Sequence, residues 1–305
     1  MGFVRRLIFA LAVAALNFAS PAHSEGRETI GAGRLFNNDY LGDGSDRWRT
    51  GSYVYSHIMA REGYTGQEAF GDLIEYRLRA EIIAPRRGTA APGDRPYVGA
   101  VSLGAHTHFD YSGTKLSLGA DIMALGPQTG LSDFQLAIRD AFDISHPPHV
   151  ALQLGNRVLL NGLAAATRTY PISDRATFRP FVEAQIGAED MVRAGGDIIF
   201  GDVAQQDLLL RDVVTGQLYR GTETKGISGM SYVIGADIAS VFESSYLPSD
   251  MGYAVSDTRA RARAGVYWQM GDDVSFFYGA TYLGEEFEGQ SEGQVLGSLK
   301  VNFNF

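Results

Sequence analysis

Asn38-Asp39 is followed by Tyr40-Leu41-Gly42-Asp43-Gly44-Ser45-Asp46-Arg47-Trp48-Arg49-Thr50. Carboxylates and amides spaced by glycines present oxygen atoms on a chain that bends easily, and hard cations such as Ca²⁺ take such ligands. The same composition also builds ordinary turns. Arg86-Arg87 is a second chemical feature, since guanidinium forks pair with phosphate oxygens; a solvated loop reads the same way. The chain holds six histidines, His23, His57, His106, His108, His146 and His149. With no cysteine in the chain, thiolate chemistry and disulfides are excluded.

The elements that would carry these residues begin with an export signal. Met1 to Arg6 is short and basic, and Leu7 to Ala19 is apolar but too short to span a bilayer. Ala22-His23-Ser24 offers a small-x-small cleavage site. Residues 1–24 therefore read as a secretory signal, whose loss removes Arg5, Arg6 and His23 and makes the formal charge of −9 two units more negative. With a sequence pI near 5.2, nucleic acid is a poor partner. No later stretch approaches 18 apolar residues, which excludes a helical membrane protein. A mean hydropathy of −0.08 looks soluble, but transmembrane barrels hide their lipid face by alternation.

Alternation is what the rest of the chain shows. Val295, Gly297, Leu299, Val301, Phe303 and Phe305 share one strand face; Leu296, Ser298, Lys300, Asn302 and Asn304 share the other. An apolar-out, polar-in strand at the C-terminus is the usual ending of an outer-membrane barrel. Twelve segments have strand character, at 28–39, 50–61, 70–83, 96–110, 114–125, 156–170, 176–189, 192–203, 228–244, 256–270, 273–284 and 293–305. Together they predict an all-β fold, a single-domain 12-stranded antiparallel transmembrane β-barrel over residues 25–305. The 37 glycines, 15 tyrosines and 17 phenylalanines suit such a wall.

Charge follows the same period. In 70–83, Ile74, Tyr76, Leu78, Ala80 and Ile82 face lipid while Glu75, Arg77, Arg79 and Glu81 face the lumen. In 256–270, Ala260, Ala262, Ala264, Val266 and Trp268 face out and Arg259, Arg261 and Arg263 face in, because arginine in hydrocarbon costs a few kcal/mol at the midplane. Opposed charges then fill the lumen, which disfavours a porin. An even strand count puts both termini in the periplasm, so the odd connections (40–49, 84–95, 126–155, 190–191, 245–255 and 285–292) lie outside. The long polar segment 204–227 is expected as a periplasmic excursion. In 126–155, Leu131, Phe134, Ile138, Ala141 and Phe142 fall at helical spacing, with Thr129 or Ser132 as cap, and predict a short helix in an outer loop.

With this ordering the chain resembles the lipid A 3-O-deacylase (LpxR) family. The matching residues are Asn38-Asp39 with Ser45-Asp46-Arg47-x-x-Thr50, Asp94-Arg95-Pro96-Tyr97, Gly126-Pro127 followed by Gln135, Glu286-Phe287-Glu288-Gly289-Gln290, and Gly297-Ser298-Leu299. The resemblance implies an outer-membrane esterase that removes the 3-linked acyloxyacyl group from lipid A of lipopolysaccharide. It implies a calcium ion near the Asn-Asp pair that stabilises the oxyanion, and a histidine that deprotonates the attacking water. Asn38, Asp39, Thr50 and Gln135 match catalytic-site positions, Asp39 and Thr50 being the metal's expected neighbours. Arg86 and Arg87 would meet the substrate's phosphates.

One position departs from the family. Four residues beyond Gln135, where the family has its histidine, stands Arg139. Arginine stays protonated at every physiological pH and cannot act as a base. His57 is expected roughly 20 Å below Thr50 at ~3.3 Å per strand residue, with His106 and His108 similarly low. Only His146 and His149 share an outer connection with Arg139. The alternative to an esterase is a non-catalytic barrel that binds lipid A or is structural.

Overall fold

The computed structural model describes residues 26–66, 69–86, 94–141 and 153–303. The signal segment, Arg87, Phe142, His146, His149 and the last two residues lie outside the described residues.

Twelve long strands form the wall: β1 (Arg27–Asn38), β2 (Trp48–Arg61), β3 (Leu73–Ala84), β4 (Val98–Tyr111), β5 (Thr114–Leu125), β6 (Arg157–Arg168), β8 (Ala176–Ile186), β9 (Glu189–Phe200), β12 (Gly229–Ser244), β13 (Thr258–Met270), β14 (Val274–Leu283) and β15 (Gln294–Phe303). All twelve expected segments are present, each within a few residues of its predicted ends. Neighbours pair antiparallel in chain order. The sheet closes where β1 pairs with β15, Phe36 facing Leu299, and where β6 pairs with β8, Gly162 facing Ile186. Closure leaves the wall no open edge, as backbone in hydrocarbon requires. Three short strands complete the inventory: β7 (Tyr170–Ser173), paired with β8, and the hairpin β10 (Leu209–Arg211) and β11 (Leu218–Arg220).

Dyad alternation sorts the side chains as expected. Glu75, Arg77 and Glu81 of β3 and Arg259, Arg261 and Arg263 of β13 are buried in the lumen, while Tyr76 and Trp268 face out. Inside, acids and arginines lock together. Arg263 sits between Asp197 (Nε to Oδ1, 2.7 Å) and Asp237, Arg261 holds Asp237 through Nε at 2.9 Å, and Arg77 forks onto Glu75 at 2.7 Å with both nitrogens.

The segment expected as a periplasmic excursion is instead the plug. Entering from the periplasmic end after β9, the chain turns up into the lumen as the β10–β11 hairpin. Leu210, Leu218 and Tyr219 join a buried cluster with Leu35, Val54, Ile58 and Phe277 of the wall. Polar residues of the segment are paired here: Asp207 takes Arg220 within the plug, and Glu223 takes Lys300 of β15 at 2.6 Å. At the hairpin tip, Asp212 accepts from Asn37 of β1 at 3.1 Å and from the Thr215 hydroxyl at 2.6 Å. Sequence polarity cannot distinguish water from a charged lumen, because both solvate the same residue types.

The helix α1 (Leu131–Ala141) is preceded by a 3-10 turn, Pro127–Thr129, and lies in the third outer connection as expected. The Thr129 hydroxyl bonds Gly126 O at 2.8 Å and accepts from Leu131 N–H at 3.4 Å, which secures the entry into the helix.

Removing one member of a buried ion pair leaves the other charge uncompensated. Arg263→Met takes one cation from Asp197, which keeps Arg211, and one from Asp237, which keeps Arg193 and Arg261, and should cost ~3 kcal/mol, the low end for a broken buried pair, in urea unfolding in micelles. An unchanged midpoint would mean that the lumen is wet enough to solvate both carboxylates.

Candidate functional site

The outer ends of β1 and β2 bring three of the expected residues together. Asn38 Nδ2 donates to Thr50 O at 2.9 Å, and the Asp39 amide donates to the same carbonyl at 3.2 Å. Asn38 Oδ1 accepts from the Tyr40 amide at 2.9 Å, and Asp39 Oδ2 from the Arg47 amide at 3.0 Å. A bulge between Arg49 and Gly51 sends the Arg49 guanidinium into the lumen, where it meets Glu286 at 2.7 Å. Thr50 is left out of the regular ladder, and its buried hydroxyl has no hydrogen-bond partner among the described residues.

Asp39 is 3% exposed. Burial pushes its carboxyl from 3.8 up to about 8; the Asp46 and Asp43 charges add to the rise, and the amide bonds from Arg47 and Tyr40 oppose it. Among the described residues Asp39 makes no ion pair, and its backbone is bonded to that of Thr50, so a hard cation at the two residues would supply the compensating charge. Among the described residues no three His, Cys, Asp or Glu converge as a metal cluster. A cation here would rest on Asp39 and neutral oxygens such as the Thr50 hydroxyl.

α1 forms the second half of the site, on the membrane side of the wall. Gly99 of β4 shares its face with the outward-pointing Leu103, yet it is buried because Thr129 and Leu131 cover it; a Cβ there would lie 2.6 Å from Thr129 Oγ1. Just above, the fully buried Tyr97 donates its hydroxyl to Gln135 Oε1 at 3.0 Å. Burial raises the Tyr97 phenol above its ordinary range, so it remains a donor. At the far end of the helix, Arg139 forms an ion pair with Asp46 of the first outer loop. That loop also folds outward over the wall: the Asp43 amide reaches Val295 O at 3.2 Å, and Leu41 fills the space at Gly297. An 11-residue helix is ~16 Å long, about three strand spacings, which is the reach from β4 across β3 to β2 and β1.

Asn38, Asp39 and Thr50 thus form one contact group and Tyr97 and Gln135 another, and the Arg139–Asp46 pair ties α1 to the loop that follows Asp39. Arg139 is not free to approach Asp39 as a bare cation, since Asp46 neutralises it. Arg86 stands at the edge. It is paired with Glu292 at 3.1 Å, and Glu292 also faces Arg47 at 3.5 Å, the residue whose amide holds Asp39. His57 bonds Thr29 at 3.2 Å, His106 faces Asp121 at 3.3 Å and His108 bonds Glu75 at 2.9 Å. All three lie toward the periplasmic ends of β2 and β4, away from the site. In the sequence, Tyr97 and Asp46 are legible only as residues of the ordered motifs. Their roles, orienting Gln135 and neutralising Arg139, come from contacts 38 and 93 residues apart in the chain.

On the lumen side, Glu286 receives Arg49, Arg95 and Arg259. Burial alone would raise its carboxyl, but those three guanidiniums hold it far below the usual range.

Asp39 has the opposite sign. Its folded state holds a proton that an unfolded chain loses near 3.8, so stability falls as pH rises from there to about 8. In chelator, Asp39→Asn should therefore gain melting temperature relative to wild type between about pH 5 and pH 8. Parallel melting curves across that window would show that the carboxyl is hydrated.

A family model described as outer membrane protein LpxR matches residues 7–305. No curated protein matches the chain. Among solved structures, LpxR from Salmonella typhimurium superposes with a TM-score of 0.74 at 16% identity, covering 90% of this chain and 100% of that one. The beta domain of the Bordetella autotransporter BrkA reaches a TM-score of 0.46 at 9% identity, over 91% of this chain and 99% of that one. The KdgM porin reaches 0.39 at 7% identity, over 91% and 99%. The match over nearly the whole length assigns this chain to the LpxR family of outer membrane proteins.

Proposed function

We propose that the chain, exported by a signal at residues 1–24, is a lipid A-modifying carboxylic ester hydrolase of the outer leaflet that removes the 3-linked acyloxyacyl group. The observation that carries this reading is the placement of the polar cluster. The Asn38–Asp39–Thr50 group and the Tyr97–Gln135 pair stand at the outer ends of β1, β2 and β4, linked through Arg139 and Asp46, and this supports a site at the level of a lipid headgroup and its ester linkages. A calcium ion at Asp39 and Thr50 would polarise an ester carbonyl as a Lewis acid when bound. The protein's own groups do the rest: Tyr97 fixes Gln135, Asn38 fixes the turn that carries Asp39, and α1 shields the cluster from bulk water. Arg86, with Arg87 beside it in sequence, supplies positive charge at the rim for a lipid phosphate.

Arg139 favours a second reading, a barrel that binds lipid A without cleaving it. It occupies the position that the family resemblance gives to the histidine, it is 8% exposed, and Asp46 holds it. No proton acceptor with the reach of an imidazole replaces it among the described residues of α1.

Two measurements decide between these readings. Calcium should raise the melting temperature of the wild type, by mass action on the folded state, and Asp39→Ala should abolish that rise. Mass spectrometry of lipid A from cells producing the protein, with calcium present, should show loss of one 3-linked acyloxyacyl group. Unmodified lipid A from wild type together with deacylation by Arg139→His would establish the binding reading. Deacylation by wild type that survives His146→Ala with His149→Ala would show that a group other than histidine takes the proton.

A further inference from the structure

α1 is built with its polarity reversed. The helix buries Ser132, Gln135 and Arg139, which are 5%, 9% and 8% exposed, and leaves Phe134 and Ile138 outside at 42% and 41%. At about 100° per residue, its side chains divide into three flanks roughly a third of a turn apart. Ser132, Gln135 and Arg139 make the flank against the wall. Asp133, Ala137 and Asp140 make an exposed flank with two acids. Leu131, Phe134 and Ile138 make the third, wholly apolar and with its two larger projections uncovered.

The wall fixes which way each flank points. β4 runs from the outer rim toward the periplasm, so Gly99 lies deeper in the membrane than Tyr97. Leu131, on the apolar flank, packs over Gly99, and Gln135, on the buried flank, bonds Tyr97. The apolar flank is therefore the deep one, and Asp133 and Asp140 lie on the side toward water. Below the helix the outer face continues as apolar wall: Phe36 and Tyr53 are partners across β1 and β2, exposed at 42% and 38%, and Leu103 of β4 and Ile122 of β5 are exposed at 62% and 64%. The apolar flank continues that lipid-facing belt upward to the level of the polar cluster.

We infer that α1 is an interfacial helix whose Leu131–Phe134–Ile138 flank is sunk into the hydrocarbon boundary of the outer leaflet. The cleft between α1 and the wall then opens sideways to the bilayer. Amphipathic helices bind this way, with the apolar flank buried and the charged flank at the headgroups. A lipid entering the cleft keeps its acyl chains against Phe134, Ile138, Phe36 and Tyr53 while its ester linkages rise to Asn38 and Asp39. This lateral route for a substrate rests on the ester-hydrolase reading; the insertion of the helix does not.

The absence of cysteine makes the insertion directly measurable. Phe134→Cys, Ile138→Cys, Asp133→Cys and Ala137→Cys, each the full-length protein carrying one nitroxide spin label, would be reconstituted in phosphatidylcholine vesicles. Oxygen, which concentrates in hydrocarbon, and a water-soluble nickel chelate would serve as relaxation agents. The ratio of oxygen to nickel accessibility should be severalfold higher at 134 and 138 than at 133 and 137. Equal ratios at all four positions would overturn the inference, placing the helix wholly in water. Low accessibility to both agents at 134 and 138 with dipolar broadening would overturn it too, assigning the flank to a second copy of the chain. Heat-shifted migration of each variant on gels controls for folding of the barrel. Insertion found in a protein that leaves lipid A unmodified would remove the hydrolase reading and leave this one standing.

Discussion

Backbone in hydrocarbon cannot leave its amides and carbonyls unpaired, and every other feature of this protein follows from that constraint. The wall must close, which it does through β1–β15 and β6–β8. Once it is closed, strict alternation sends each second residue inward, and Glu75, Arg77, Glu81, Arg259, Arg261 and Arg263 have nowhere else to go. Charges taken out of water must then find partners. They find them across the lumen and on the plug, where Arg211 meets Asp197, Glu223 meets Lys300 and the Val213 and Val214 carbonyls accept from Arg261.

A lumen filled in this way leaves no room for a substrate, and the candidate site lies on the other side of the wall. The two sides are nonetheless mechanically joined. Asn37 points inward, bonded to Ser52 at 2.9 Å and to Asp212, while its neighbour Asn38 bonds outward to Thr50 O. Similarly, Arg49 anchors the lumenal Glu286 cluster while the adjacent Thr50 lines the site. The plug tip thus contacts β1 from behind through Asp212 and Asn37, next to the turn that carries Asp39.

The electrostatics of the two sides differ for a physical reason. Glu286 is buried among three guanidiniums and stays ionised; Asp39 is buried with other acids nearby and holds its proton. Comparable burial gives opposite outcomes because the sign of the neighbouring charge decides. Arg139 does not relieve Asp39, since Asp46 already engages it.

Most of the wall was legible in the residue pattern: twelve strands, their facing, the end of the barrel at which each connection emerges and the helix in the third connection of the odd set. These are local consequences of a two-residue period and a 3.6-residue period, which survive without knowledge of distant contacts. The ordered motifs also named Asn38, Asp39, Thr50, Gln135 and Arg139 as belonging together. Three things were decided only by tertiary structure. The 204–227 segment became a plug and not an excursion, because a charged lumen and water call for the same residues. Tyr97 and Asp46 acquired their roles through Gln135 and Arg139, partners far away in the chain. The face that α1 buries was decided last: its apolar spacing is visible in the sequence, but the spacing cannot say that a helix lying outside a barrel, beside a bilayer, turns Gln135 and Arg139 inward and leaves Phe134 and Ile138 outside.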